Sequence, residues 1–147
     1  MRSIISLFAA SLFAACVLTL AACNLVAPPL KGSDGKENFE AFYQKFSTDS
    51  TFQVSRVLFP LQGLPPIGER SDSVKEYYYT LDKWKMHHLV DPNNHTISRH
   101  VEGDDSFKTE YVSMPYGYYI ERRFLRSGGS WMLVYYSGIQ QLQKEER

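Results

Sequence analysis

Residues 118–137 read Tyr-Tyr-Ile-Glu-Arg-Arg-Phe-Leu-Arg-Ser-Gly-Gly-Ser-Trp-Met-Leu-Val-Tyr-Tyr-Ser. Two β-prone runs, 118–126 and 131–137, flank a Ser127-Gly128-Gly129-Ser130 break. A break of that length and composition joins neighbouring antiparallel strands. Upstream, residues 74–80, 88–90, 96–102 and 107–114 are also β-prone, and Asp91-Pro92-Asn93-Asn94 and Gly103-Asp104-Asp105 separate the later ones. The intervals are hairpin lengths, so the sheet is expected to be antiparallel throughout. Residues 81–87 are expected to form a short helix starting near Asp82.

Before the strands the period changes. Phe39, Phe42, Tyr43 and Phe46 fall at i, i+3, i+4 and i+7, with Glu40, Gln44 and Lys45 on the opposite face. That spacing predicts an amphipathic helix, with Ser33 or Asp34 as its cap. Ser50-Thr51-Phe52-Gln53 has the form of a capping box and predicts a second helical turn. Val57-Leu58-Phe59 then reads as a strand stopped by Pro60. Helices followed by a meander give an α+β fold, with N-terminal helices packed on a curved antiparallel sheet. The domain is placed at 37–138 and a polar C-terminal tail at 139–147.

The N-terminus has a different chemistry. Of its first 22 residues only Arg2 is charged, and residues 4–20 are apolar except for Ser6, Ser11 and Thr19. This is a signal-peptide core, 1–22, with an uncleaved membrane anchor as the competing reading. Leu20-Ala21-Ala22-Cys23 resembles the bacterial lipobox, in which Cys23 becomes the first mature residue and carries acyl chains such as palmitate. Each buried CH2 contributes about 0.8 kcal/mol to membrane binding, so the lipid alone is an anchor. Cys16 lies inside the leader, so no thiol is left for a disulfide, a metal or a nucleophile. Residues 23–36, the lipidated cysteine with a flexible Pro- and Gly-containing linker, connect it to the domain; the linker's 13 residues reach about 43 Å when extended. The expected location is the bacterial cell envelope, at the outer membrane.

Beyond the leader, 15 basic residues face 16 acidic ones, a net charge of −1. That balance lacks the positive field nucleic-acid binding needs, so no nucleic-acid partner is expected. Aromatic residues make up 14% of the chain, which argues against disorder.

The stretch Phe52-Gln53-Val54-Ser55-Arg56-Val57-Leu58-Phe59-Pro60-Leu61 sits after Phe42 and Phe46 and before Trp84 and the closing 131–136 segment. In these residues the chain resembles a Bacteroidetes lipoprotein family of unknown function, over about 37–138. The resemblance implies a nuclear transport factor two-like (cystatin-like) fold, a cone of helices packed into a bent sheet. It brings no catalytic motif, and the fold hosts binding proteins, isomerases, dehydratases and structural proteins alike.

Four histidines, His87, His88, His95 and His100, lie close in sequence, but their spacing suits no metal, so neither metal nor cofactor is expected. Arg56 lies among apolar residues and must be paired or reach out to solvent. The reading favoured here is an internal ion pair with Asp49, Glu110 or another acid; the rival is a fork for a ligand carboxylate. Arg56, Tyr111, Tyr118 and Trp131 are the ligand-binding candidates, as a Tyr- and Trp-lined cone suits a sugar or a flat apolar ligand. Asp49-Ser50-Thr51 and Asp72-Ser73-Val74 resemble bacterial O-glycosylation sites at Ser50 and Ser73.

No catalytic residues are assigned. The leading reading is a non-catalytic, lipid-anchored domain whose partners are the membrane, through acylated Cys23, and a small molecule or an envelope protein. One alternative is an isomerase or hydratase using a buried Glu110 or Glu121 with tyrosines. Another is a structural subunit of an outer-membrane assembly.

Overall fold

Helix α1 (Phe39–Thr48) buries Phe39, Phe42, Tyr43 and Phe46, the stripe its spacing predicts. Its cap is Asn38, whose side chain accepts from the Ala41 amide at 3.0 Å. Asp34 instead closes a turn by accepting from Lys36. Helix α2 (Ser50–Ser55) is capped by Asp49, which accepts from the Phe52 amide at 2.9 Å. The capping box is therefore displaced by one residue, and this frees Gln53 for another task. The computed structural model describes residues 29–71, 76–89, 91, 94 and 96–142. The leader and Cys23 lie outside these residues, as do Ser73 and His95.

Six strands follow: β1 (Val57–Leu64), β2 (Tyr77–Tyr79), β3 (Ser98–Gly103), β4 (Phe107–Ser113), β5 (Tyr118–Ser127) and β6 (Ser130–Gln141). They form one sheet in the order β2-β1-β6-β5-β4-β3. The pairs β1–β2, β3–β4, β4–β5 and β5–β6 are antiparallel, whereas β1 and β6 run parallel. A sheet antiparallel throughout was expected from hairpin lengths, and β1–β6 escapes that reasoning because more than sixty residues separate the partners. Nor does Pro60 end β1. It falls where the β1–β6 register shifts between Val57 and Gln62, the irregular kind of position that tolerates a residue without an amide hydrogen.

Residues 81–87 hold only a 3-10 turn, Leu81–Lys83, and His88 and Leu89 are not strand. Strand β6 continues to Gln141, with Gln140 buried, so the expected tail begins later than 139. The linker also ends earlier than expected. Lys31 bridges to Glu37, the Gly32 amide donates to Lys36 O at 2.8 Å, and Leu30 packs on the core.

The core sits between α1 and one half of the sheet's inner face. Phe124 lies edge-on to Phe39, Phe42 and Phe46 at 5.4, 5.7 and 5.7 Å, and Phe39 meets Trp131 at 5.1 Å. Such pairs contribute about 0.5–1.5 kcal/mol each beyond the area they bury. The other half of the inner face carries the polar and aromatic groups described next.

Candidate functional site

Along β5 and β6 neighbouring residues alternate faces. Arg122 and Tyr136 stand directly opposite one another on the inner face, as do Glu110 and Arg122 across β4–β5. Past the end of α1, the residues after β2 fold over this part of the sheet. Trp84 and Tyr136 each place a ring centroid 4.4 Å from the His87 ring and stand 5.9 Å from one another, so the three tilted rings form a triangular cluster. Tyr79 joins at 5.0 Å from Tyr136 and 6.3 Å from Trp84. With Pro66, Glu69, Lys83 and Lys85 these four residues line a cleft of about 300 Å³.

Gln53 builds this wall. It is 1% exposed, and its Nε2 donates to Phe46 O and to His87 O, both at 2.7 Å. Its Oε1 accepts from the His87 amide at 2.9 Å and from Trp84 Nε1 at 3.1 Å. One side chain thereby fixes both rings of the loop.

The electrostatics follow from burial. His87 is pushed down to about 3, first by burial and then by the nearby charges of Arg122 and His88, so the ring is neutral at physiological pH. Its Nδ1 is buried without a hydrogen-bond partner among the described residues. Burial raises the Tyr136 phenol, with Arg122 opposing, and burial also raises Tyr79, with Tyr136 and Tyr77 adding to it.

Behind the cleft lies a charged cluster. Glu110 is 0% exposed; its Oε1 accepts from Arg99 Nε at 2.5 Å, and its Oε2 forms an ion pair with Arg122 Nε at 2.8 Å without hydrogen-bond geometry. Arg122 Nη2 donates to the Tyr43 hydroxyl at 3.4 Å. Arg99 lies 3.9 Å over the Tyr43 ring and reaches the exposed Glu40 at 3.4 Å. Burial works against the charge on Arg99, but the hydrogen bond and charge of Glu110 outweigh it and raise its pKa. Neither candidate base stands free. Glu110 is held by two arginines, and Glu121, which shares a face with Tyr111, pairs with Arg123 at 2.5 Å.

The sequence-predicted site residues do not converge on the cleft. Arg56 pairs internally, with Glu37 rather than Asp49 or Glu110: Nη2 to Oε1 is 2.7 Å, and Glu37 is fully buried. Trp131 is 0% exposed and belongs to the core; its amide donates to Glu37 Oε2 at 2.8 Å and its indole to Glu37 O at 3.1 Å. Arg56 and Trp131 thus meet through Glu37. Tyr111 lies on the opposite, outer face, as its pairing with Glu121 requires, and Tyr118 opens β5 at the sheet's end opposite Gln141. Ser50 is exposed at the start of α2. His100 is 71% exposed beside Glu102, and no group of three or more His, Cys, Asp or Glu among the described residues is arranged to hold a metal. Sequence reasoning passed over Gln53 and Trp84 as site residues, although both lie in the segments that carry the family resemblance.

A larger depression of about 540 Å³ lies at the other end, lined by Lys36, Glu37, Asp105, Lys108, Arg126 and others. It is shallower, and several of its charges are already paired: Lys36 with Asp34, Arg126 with Asp105 and Glu37 with Arg56. The aromatic cleft, with its unpartnered imidazole nitrogen, is the better candidate.

A family profile matches residues 37–114, more than half of the chain. The chain belongs to a Bacteroidetes-associated family of unknown function with a nuclear transport factor two-like fold. It is similar to a crystal structure of a nuclear transport factor two-like protein from Bacteroides fragilis, with 22% identity and a TM-score of 0.56. The match covers 78% of this chain and 51% of that one, so the chain spans about half the length of that relative. No curated protein sequence matches. The likeness confirms the fold: N-terminal helices on a multi-stranded, largely antiparallel sheet. None of the helices among the described residues is long and apolar enough to cross a membrane.

Proposed function

We propose that this chain is a lipid-anchored envelope protein whose domain holds a small, flat, largely apolar molecule in the cleft between Trp84, Tyr79 and Tyr136. The observation that carries the reading is His87. It is a neutral ring in tilted contact, its centroid 4.4 Å from those of both Trp84 and Tyr136, with a buried Nδ1 that has no partner among the described residues and a backbone pinned by Gln53. Ligand pockets combine apolar walls with a few fixed polar groups, and their volumes begin at about 300 Å³. Aromatic walls held in place before binding reduce the ordering cost that a ligand must overcome. The domain is a binding module in this reading, and the chemistry it performs is recognition.

The anchor is proposed from Leu20–Cys23. Leu30 packs on the core, and six residues separate it from Cys23, a reach of about 20 Å when extended. The domain would sit close to the outer-membrane surface, with its cleft open to small solutes.

The test is a fragment screen on the detergent-solubilised full chain, read by NMR at the Trp84 indole N–H. Flat apolar fragments should shift that signal saturably, and Trp84→Ala should abolish the binding while the fold persists. Fragments that bind only elsewhere would overturn the reading. Mass spectrometry should find an acylated N-terminus at Cys23, and Cys23→Ala should accumulate a larger precursor.

A further inference from the structure

The two edges of the sheet are built differently. Strand β2 ends one side with three residues, whereas β3 ends the other with six, Ser98-Arg99-His100-Val101-Glu102-Gly103. All six pair with β4 without a register shift, and among the described residues no strand pairs with their other side. An edge of this kind is a template for another strand, and proteins blunt it with prolines, lysines, bulges or inward-pointing charges. Strand β3 has no proline, lysine or bulge. Its inward charge, Arg99, is turned onto its own core, where Nε donates to Glu110 and the guanidinium lies 3.9 Å over the Tyr43 ring. The remaining charges, His100 and Glu102, stand 3.9 Å apart with their side chains 71% and 57% exposed. Two groups of opposite character at that spacing select a partner rather than repel every one.

Symmetry then restricts the partner. Two copies of β3 joined antiparallel into one continuous sheet are related by a two-fold axis perpendicular to it. That axis must pass through a residue position, because only then do side chains of the same face meet. An axis at Arg99, His100 or Glu102 sets each of these residues opposite itself, and like charges directly opposite are destabilising. An axis at Val101 sets valine against valine and His100 against Glu102 on both sides of the centre. It also sets Arg99 opposite Gly103, which has no side chain to push the guanidinium off Glu110. The sequence of the edge is thus complementary to itself in one register.

We infer that the partner of the β3 edge is a second copy of this chain, paired antiparallel about Val101, so that His100 of each copy donates to Glu102 of the other. An imidazole N–H donates to a carboxylate whether the ring is neutral or charged. Main-chain hydrogen bonds supply the attraction common to any added strand, and the His100–Glu102 pairs fix the register. The aromatic cleft lies apart from this interface and does not depend on it: Tyr79 belongs to β2 and Tyr136 to β6, and three strands lie between β2 and β5.

The experiment is sedimentation equilibrium of the full chain in density-matched detergent, with circular dichroism to confirm that each variant is folded. The wild type should be a dimer. His100→Glu sets carboxylate against carboxylate on both sides of the axis and should weaken association by roughly ten-fold or more. His100→Glu/Glu102→Lys restores opposite charges in the same register and should recover the dimer. Both positions are largely exposed, so the fold should survive each change. A monomeric wild type would overturn the inference. A dimer that is indifferent to His100→Glu, or one that the double variant does not recover, would show that the copies meet elsewhere and would overturn it equally.

Discussion

Gln53 and His87 grip one another twice: Gln53 Nε2 donates to His87 O at 2.7 Å and Gln53 Oε1 accepts from the His87 amide at 2.9 Å. A side-chain amide here replaces a strand partner, matching the donor and acceptor of one residue's backbone. The same Oε1 takes the Trp84 indole, so α2 sets the geometry of the cleft through one residue. Gln53→Glu tests this with almost no change of shape. The carboxylate loses both Nε2 donors and faces two carbonyls, those of Phe46 and His87, inside the protein. A buried group left without its partner costs about 1–3 kcal/mol, more when charged. Urea unfolding should show a loss of at least that size, with Trp84 more accessible to quenchers. An unchanged midpoint would mean that the clamp carries no stability.

Arg56 and Glu37 give a second prediction. Glu37 has no exposed side-chain surface and joins Arg56 to the Trp131 amide. Arg56→Met leaves that carboxylate buried with two hydrogen bonds fewer. Breaking one side of a buried pair typically costs about 3–5 kcal/mol. Arg56 is 18% exposed, which argues for the lower end. Glu37→Gln/Arg56→Met should recover part of the loss, because the uncompensated charge is gone. If the double variant is as unstable as the sum of the singles, the two residues are not coupled.

How far the sequence reached depends on range. Phe39, Phe42, Tyr43 and Phe46 announced α1 because a helix repeats locally, and Ser127–Ser130 announced the β5–β6 hairpin because a turn is local too. The pairing of Arg56 was legible from its apolar neighbours, since a guanidinium there needs a counter-charge. Its partner was not, because Glu37 sits 19 residues away, at the point where the linker gives way to the domain. The parallel β1–β6 pairing was hidden for the same reason, and Pro60 read as a strand stop because a register shift cannot be seen in one strand alone. The cleft was the least legible part. Gln53 looked like a capping-box residue, and His87 looked like one of four scattered histidines. Only the fold over the sheet brings Trp84, His87 and Tyr136 together.

His87 makes stability depend on pH in a defined direction. The folded ring is pushed down to about 3, while an unfolded histidine titrates near 6.5. Between those values the unfolded chain holds a proton that the folded one lacks. This group's contribution is therefore complete above about pH 6.5 and declines as the pH falls, by at most about 1.4 kcal/mol per unit, until it levels off below about 3. Carboxylates titrate in part of the same window, so the comparison is with His87→Phe, which keeps a ring beside Trp84 and Tyr136. Thermal unfolding from pH 7 to pH 5, above most carboxylate titration, should fall more steeply in the wild type. Parallel curves would mean that His87 is protonated in the folded state.

Gly63 is where the sheet and the cleft share one constraint. It pairs with Tyr77 in β2 and with Tyr136 in β6, and a Cβ there would collide with the Tyr136 carbonyl oxygen while standing 2.9 Å from Tyr79 Cε2. The carbonyl is backbone in the middle of the sheet and cannot swing aside. Gly63→Ala must therefore push β1 away from β6 and drive the Tyr79 ring off Tyr136, which it now meets at 5.0 Å. Overpacking of this kind typically costs about 1–3 kcal/mol, and the same shift opens the aromatic wall, so ligand binding should weaken together with stability. Gly68 is the control, because a Cβ there meets nothing within 4 Å. Where a glycine's backbone suits alanine, the substitution stabilises by about 0.4–1 kcal/mol through the unfolded chain. Gly68→Ala should thus be neutral or slightly stabilising in the same unfolding assay, with binding intact. A Gly63→Ala protein as stable as the wild type would show that β1 and β6 do not approach each other as closely as this packing requires.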